Sequence, residues 1–529
     1  MSDVASAMTA DRAHPALFWL GVAAVTLGVA FHLPMFVAAA PMNFHLAGMP
    51  VDWRMLFGMA LIGAGTVAGF YGLLPPALRR APSAAALAPA ITVPPVHDPG
   101  RLRWVHWQLM LVLALALVID AMKPATLGFT IPGISQEYGL PREVVALFPF
   151  LALTGLTIGS YVWGVIGDQV GRRAAILLSG IMFVGTAICG SMPGFIGNLI
   201  MCFFMGLAAG GMLPITYTLL AECMPNRHRG WTMVLLGGLG LVGGFFAASG
   251  SATLFEPYFG WRIMWFLNAP TGLILIFCNR FIPESPRFLL QRGRVDEARA
   301  TVRRFGVALD PRQWADLPRP QGGVDSTAAL LRAPFRGTTA TLNLAAVAWG
   351  LVNFGLLLWL PAELRRRGYS VAGSDALLFR SALIALPTMF VVAWLYSRWS
   401  TKWTLCLLTA VTALGLVVLS LIDRGVALIE DDPIVLFSLL MIGVNGIIAV
   451  LLPYTAENYP ILVRGRGTGL VAGASKLGGL AAQALTVASI VPALGPAALA
   501  LALPIALSAG MVARYGKETR DRRLEDFDG

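Results

Sequence analysis

Asp120 and Lys123 stand three residues apart in an otherwise apolar run, Val118-Ile119-Asp120-Ala121-Met122-Lys123-Pro124. On a helix that spacing puts the carboxyl and the ammonium on one face, where they can pair. Ionisable groups at membrane depth are costly and point to function by default. Two further cations, Arg380 and Lys476, interrupt later apolar runs. Three bases and one acid predict an anionic substrate such as an organic carboxylate, with Asp120 as the candidate proton carrier. Lys123, Arg380 and Lys476, together with Asn353, Asn445 and Tyr454, are the candidate substrate ligands. Asn343 and Gln483 are further polar groups able to line a cavity, whereas Trp349 and Trp359 read as packing or interface anchors. The plainer alternatives are that Arg380 and Lys476 snorkel to the interfaces and that Lys123 only neutralises Asp120.

Other chemistries lack their residues. The six His, at 14, 32, 45, 97, 106 and 228, show no metal spacing and no nucleophile–base pairing. The five Cys form neither a CxxC pair nor a His/Cys cluster. No GxxxxGK[ST] loop cradles a phosphate, so an ion gradient is the expected energy source and ATP is not. The expectation is a non-enzyme with no metal and no cofactor. The net charge of +11 resides mostly beside apolar segments, which suits membrane topology and not nucleic acid.

These groups need elements to hold them. The chain is 57% hydrophobic and only 13% charged, against about 25% charged in a soluble domain. Such an excess calls for a bilayer as solvent. Two runs of spanning length come first, then a Pro- and Ala-rich stretch, then about twelve more runs of roughly 20 apolar residues. An Arg-rich polar segment, with a short amphipathic pattern over Val295–Val307, separates the sixth and seventh of these twelve. The predicted organisation is a transmembrane hairpin at 1–76, a linker at 77–104, a six-helix bundle at 105–283, an inter-bundle segment at 284–340, a second bundle at 341–515 and a tail at 516–529. Placing the central segment in the cytoplasm puts most of the 39 Lys and Arg inside, with both termini. The run Arg365-Arg366-Arg367 breaks that trend on the opposite side. The first apolar run has a rival reading as a cleaved signal peptide, since Ala38-Ala39-Ala40 could suit a peptidase, but it is long for that role and only Arg12, offset by Asp3 and Asp11, gives positive charge ahead of it.

A repeat divides the twelve helices. Ala221-Glu222-Cys223-Met224-Pro225-Asn226-Arg227-His228-Arg229-Gly230 and Ala456-Glu457-Asn458-Tyr459-Pro460-Ile461-Leu462-Val463-Arg464-Gly465 share AExxPxxxRG at an offset of 457 − 222 = 235. Parallel six-helix halves with a site between them near the midplane are one established transporter plan. Gly164-Val165-Ile166-Gly167-Asp168-Gln169-Val170-Gly171-Arg172-Arg173 resembles the loop motif after the second helix of the major facilitator superfamily. Pro283-Glu284-Ser285-Pro286-Arg287 is similar to the motif after helix six in its sugar porters and related organic-ion and aromatic-acid transporters, and Lys517-Glu518-Thr519-Arg520 to the tail after helix twelve. The ordered set covers about residues 105 to 526.

The resemblance implies an all-α membrane protein with two six-helix bundles in pseudo-twofold arrangement, preceded here by two extra helices, about 14 spans in all. It also implies gating networks from Asp168, Arg172, Arg173, Glu222 and Arg229 in the first half, and Arg398, Glu457 and Arg464 in the second. The second half departs from the pattern, with Arg398 where an acid is expected. Lys123 likewise stands where related acid transporters often carry a second Asp. Val234–Ala248 contains no Gln, which argues against a sugar porter. The sequence thus predicts a secondary active transporter in a bacterial inner membrane, working by alternating access and coupling a small organic anion to protons, with the bilayer as its other partner. Efflux of drugs or organic cations, or a non-translocating receptor, are the alternatives.

Overall fold

The computed structural model describes residues 15–74, 101–292, 294–306, 330, 335–425, 433–459, 464–490 and 492–520. Residues 77–100 of the proposed linker fall outside the described residues, and its last residue, Trp104, already opens a helix. Among those described, fourteen helices are long and apolar enough to cross a membrane. The first two, α1 (Pro15–Ala38) and α2 (Trp53–Leu73), form the hairpin. The first half comprises α3 (Trp104–Tyr138), α4 (Arg142–Val170), α5 (Arg172–Ser191), α6 (Phe195–Cys223), α7 (Arg227–Phe259) and α8 (Ile263–Phe281). The second comprises α9 (Arg336–Arg366), α10 (Val371–Arg398), α11 (Thr401–Asp423), α12 (Ile434–Asn458), α13 (Arg466–Val487) and α14 (Leu494–Tyr515). Two short helices, Pro286–Gln291 and Val295–Arg304, follow α8 and mark one end of the bundle, the segment end. The opposite end is the far end. Large apolar side chains such as Leu20, Leu111, Leu254 and Leu503 stay exposed on the outside, as lipid-facing positions require.

Small residues set the close helix contacts, as expected where packing drives association between helices. In the first half α7 lies on α3 through Gly240 and Gly244; a Cβ on Gly244 would stand 2.5 Å from the Ala121 side chain. In the second, α13 lies on α9, and a Cβ on Gly478 would stand 2.3 Å from the Val347 carbonyl. These glycines are offset by 478 − 244 = 234, within one residue of the sequence repeat. The pseudo-symmetry therefore extends from the loops into the helix packing.

The hairpin is an integral part of the first half. Its helices meet at Gly21, Gly65 and Gly69, where backbones touch. Its inner face, including Val22, Val25, Val29 and Phe36, shares one core with Leu177, Ile181, Val184 and Ile188 of α5 and with Phe266 and Ile276 of α8. Its far-end loop is stapled by a buried carboxylate. Leu46 N and Ala47 N donate to Glu137 Oε1 at 2.8 and 2.9 Å. Arg262 grips the same carboxylate, Nη2 to Oε1 at 2.7 Å and Nε to Oε2 at 3.1 Å, and Trp261 Nε1 adds a bond of 2.8 Å. The Arg262 and Glu137 side chains are 0% and 1% exposed. Removing one partner of such a pair leaves an uncompensated buried charge, at a cost of about 3–5 kcal/mol. Arg262→Gln is thus expected to lower the thermal unfolding midpoint in detergent and to expose the hairpin loop to proteolysis near Leu46, while a substitution at lipid-facing Leu20 leaves both unchanged.

Candidate functional site

A cavity of about 550 Å³ lies between the halves. The first half lines it from α3, α4, α6 and α7, and the second from α9, α12 and α13. Its walls are mostly apolar and aromatic, with Phe129, Phe245, Trp349 and Phe354 among them. It reaches Glu222, Arg229 and Glu457 at the segment end. Toward the far end it stops at Leu357, Leu358 and Pro361 of α9, which sit under a closed contact between the halves.

Four of the seven proposed ligand and proton-carrier residues, Asp120, Asn353, Asn445 and Lys476, line this cavity together. Asp120 comes from α3 of one half, and its Oδ1 is buried without a hydrogen-bond partner. Lys476 comes from α13 of the other half and crosses the interface. Its ammonium donates to the Ser160 hydroxyl of α4 and, at 3.4 Å, to the Gly210 carbonyl of α6. A carboxyl and an ammonium from opposite halves thus share one apolar chamber. Trp349 is fixed by a 2.7 Å bond from Nε1 to the Val444 carbonyl, and Asn445 by one of 2.9 Å from Nδ2 to the Met441 carbonyl.

The other three lie elsewhere. Lys123 is 1% exposed and turns into the first half, donating to the Phe183 carbonyl at 2.9 Å and the Thr186 hydroxyl at 2.6 Å, over the Phe183 ring. There α5 changes from an α-helix, Arg172–Gly185, to a 3-10 helix, Thr186–Ser191, so the ammonium sits at a helix C-terminus where cations are favoured. Lys123 therefore does not form the expected hydrogen-bonded pair with Asp120. Arg380 is exposed on α10, away from the cavity, as snorkelling predicts. The Tyr454 hydroxyl is engaged by the tail, donating to the Lys517 carbonyl at 2.7 Å. Asn343 bonds its own helix at Thr339, and Gln483 accepts from Trp359 Nε1 at 3.1 Å.

At the segment end both halves close a loop with a glutamate on a helix N-terminus. In the first half Asp168 pairs with Arg172 at 2.9 Å, and Glu222 stands 3.9 Å from the same guanidinium. Arg173 donates instead to Asn279 Oδ1 at 2.7 Å. Glu284 Oε1 accepts from the Arg172 and Arg173 amides at 2.8 and 3.3 Å, and the Ser285 hydroxyl bonds Glu222. In the second half Glu518 accepts from Thr401 N at 3.0 Å, and Thr519 Oγ1 donates to Glu457 at 2.7 Å. Burial outweighs the amide donors at Glu284 and pushes its pKa up. At Glu518 burial acts the same way, but the Ser400 and Thr401 donors prevail and hold its pKa below the ordinary value.

Among the described residues, no acid–arginine ion pair stands at the segment end of the second half. The Arg398 carbonyl accepts from the Arg520 guanidinium, and Glu457 takes the Tyr396 hydroxyl at 2.7 Å where Arg398 or Lys402 was expected. Glu457 also meets the first copy of the repeat: a Cβ on Gly230 would stand 3.0 Å from its Oε1. The Arg464 side chain lies outside the described set.

Sequence reasoning missed the acids at the far end. Glu256, Glu363, Asp375 and Asp423 neutralise the Arg365–Arg367 run that breaks the charge trend. That uncompensated run, and acids falling inside spans, were the available signals.

The Major Facilitator Superfamily model matches residues 113–483. The niacin transporter NiaP of Acinetobacter baylyi is 27% identical over 433 residues, covering 80% of this chain and 96% of that one. The benzoate transport protein of the same organism is 22% identical over 411 residues, covering 75% and 86%. Among solved structures, the xylose transporter XylE from E. coli, in a partially occluded inward open conformation, superposes with a TM-score of 0.63 at 16% identity, covering 80% of this chain and 100% of that one. The fold, the fourteen helices and these matches agree: this chain is a multi-pass membrane transporter, not an enzyme, and belongs to the Major Facilitator Superfamily.

Proposed function

We propose that the protein is a secondary active transporter that couples protons to the movement of a small organic anion, most simply an aromatic carboxylate, by alternating access. The observation that carries this reading is the unpartnered Asp120 carboxyl in the same chamber as the Lys476 ammonium. Lys476 is the cation for a substrate carboxylate, and Asp120 is the group that takes and gives the proton. The aromatic walls suit a flat ring. Relatives whose names give niacin and benzoate as cargo support the class, since both are aromatic carboxylates. Lys476 in the chamber counts against an organic cation. The absence of Gln over Val234–Ala248 counts against a sugar.

Lys476 rests on Ser160 and the Gly210 carbonyl of the opposite half. A carboxylate arriving there competes for the same ammonium, so loading the site changes a contact between the halves. This supplies the differential interaction between two conformations that alternating access requires. The Arg-rich segment end is the cytoplasmic one on the distribution of basic residues, with both termini on that side, in a bacterial inner membrane.

Proteoliposome uptake tests the reading, using labelled nicotinate, benzoate, xylose and an organic cation under an imposed pH gradient. Gradient-driven uptake of the carboxylates alone is expected. Asp120→Asn should abolish accumulation while leaving exchange of pre-loaded substrate. Lys476→Gln should raise KM by roughly 10- to 100-fold, the scale of a charge-assisted hydrogen bond. Uptake of xylose or the cation, or carboxylate uptake indifferent to pH, would sink the proposal.

Access to the chamber gives a second test. Among the five native cysteines four are buried, and Cys278 is partly exposed, so a Cys278→Ser background is quiet. In it, Asn353→Cys should react with a membrane-impermeant maleimide added at the segment end of oriented vesicles. Saturating carboxylate should slow that reaction. Labelling only from the far end would contradict the proposed direction of opening.

A further inference from the structure

The far end is held shut by an ion network whose charges do not balance. Glu256, near the end of α7, belongs to the first half, whereas Arg365 on α9 and Asp375 on α10 belong to the second. Arg365 grips Glu256 with both terminal nitrogens, Nη1 to Oε1 at 2.9 Å and Nη2 to Oε2 at 3.1 Å. The same Nη2 lies 3.2 Å from each Asp375 oxygen. The Ser374 hydroxyl donates to Asp375 Oδ1 at 3.2 Å. The side chains of Glu256 and Asp375 are 5% and 0% exposed, and that of Arg365 13%.

Neighbouring charges have their own partners. Glu363 binds Arg366 at 2.8 Å and Arg367 at 3.4 Å, Asp423 binds Arg367, and Arg142 of α4 lies over the Trp359 ring at 4.8 Å. Glu143 follows Arg142 on the same element. Two carboxylates therefore converge on one guanidinium, whose Nη2 lies 3.1 Å from Glu256 Oε2 and 3.2 Å from both Asp375 oxygens. Carboxylates that share a site do not both ionise readily; one proton held between them removes the repulsion.

We propose that Glu256 and Asp375 share one proton while the far end is closed, and that opening this end releases it. Separation of the halves carries Glu256 away from Arg365, leaving Arg365 and Asp375 as a balanced pair on the second half. Glu256 then faces solvent as an ordinary carboxylate. The network is a proton-operated latch, distinct in place from Asp120, and it presumes that the halves move as alternating access requires.

The test reads conformation and not transport, so it is separable from the role of Asp120. In nanodiscs, in an Asp120→Asn, Cys278→Ser background, spin labels replace the exposed Tyr258 and Tyr369, one at the far end of each half. Pulsed dipolar distances are measured from pH 5 to pH 9. The short-distance population is expected to fall at least threefold as pH rises. Glu256→Gln keeps the shape and leaves Arg365 balanced by Asp375, so this population should stay high and become independent of pH. Asp375→Asn should do the same, and Arg365→Gln should lose the short distance at high pH. A Glu256→Gln protein that keeps the full pH response, or a parent with none, overturns the proposal.

Discussion

The cost of placing a charge in hydrocarbon organises this molecule. Each ionisable side chain at depth has to be paired, turned to the interface or given a water-accessible chamber. Arg262 and Glu137 neutralise each other completely out of solvent. Lys123 has no carboxylate bond and rests on a carbonyl and a hydroxyl where α5 changes helix type. Arg380 is exposed on the outside of α10. Once these are accounted for, Asp120 and Lys476 remain in the chamber between the halves. The site is thus defined by what the rest of the structure has neutralised.

The duplicated plan does not produce duplicated chemistry. Both halves place a glutamate from a later segment on a helix N-terminus, Glu284 at Arg172 and Glu518 at Thr401, and both attach the next residue's hydroxyl to the glutamate of the repeat. Around this shared frame the first half uses ion pairs, while the second uses the hydroxyls of Tyr396 and Thr519. Ion pairs at a surface are screened by salt and contribute little, whereas buried hydroxyl bonds are insensitive to it. The two segment-end networks should therefore respond differently to ionic conditions.

Periodic and local features were legible in the sequence. Fourteen apolar runs, the AExxPxxxRG repeat and the motif after the second core helix all correspond to what the structure contains, because each is written in consecutive residues. Asp120 and Lys476 were found as charges in apolar runs, but their common chamber is a property of two helices far apart in the chain. Lys123 shows where a spacing rule gives way. Three residues from Asp120 on one helix, it still finds its hydrogen bonds on α5, at the Phe183 carbonyl and Thr186 hydroxyl beside a change of helix type that no pattern announces. The far-end network was illegible for a related reason: Arg365 and Glu256 are 109 residues apart and belong to opposite halves.

The hairpin makes the two halves unequal in girth. Its core is continuous with α5 and α8, and its loop is held by Glu137, so it has to travel with the first half. A tilting body displaces lipid around its perimeter, and the first half carries the larger one. If the halves rotate as the proposed alternating access requires, the bilayer is disturbed less when the slimmer α9–α14 half swings against a first half broadened into a keel. Under the proposed alternating access, a fold duplicated in plan would thereby acquire a stator and a rotor.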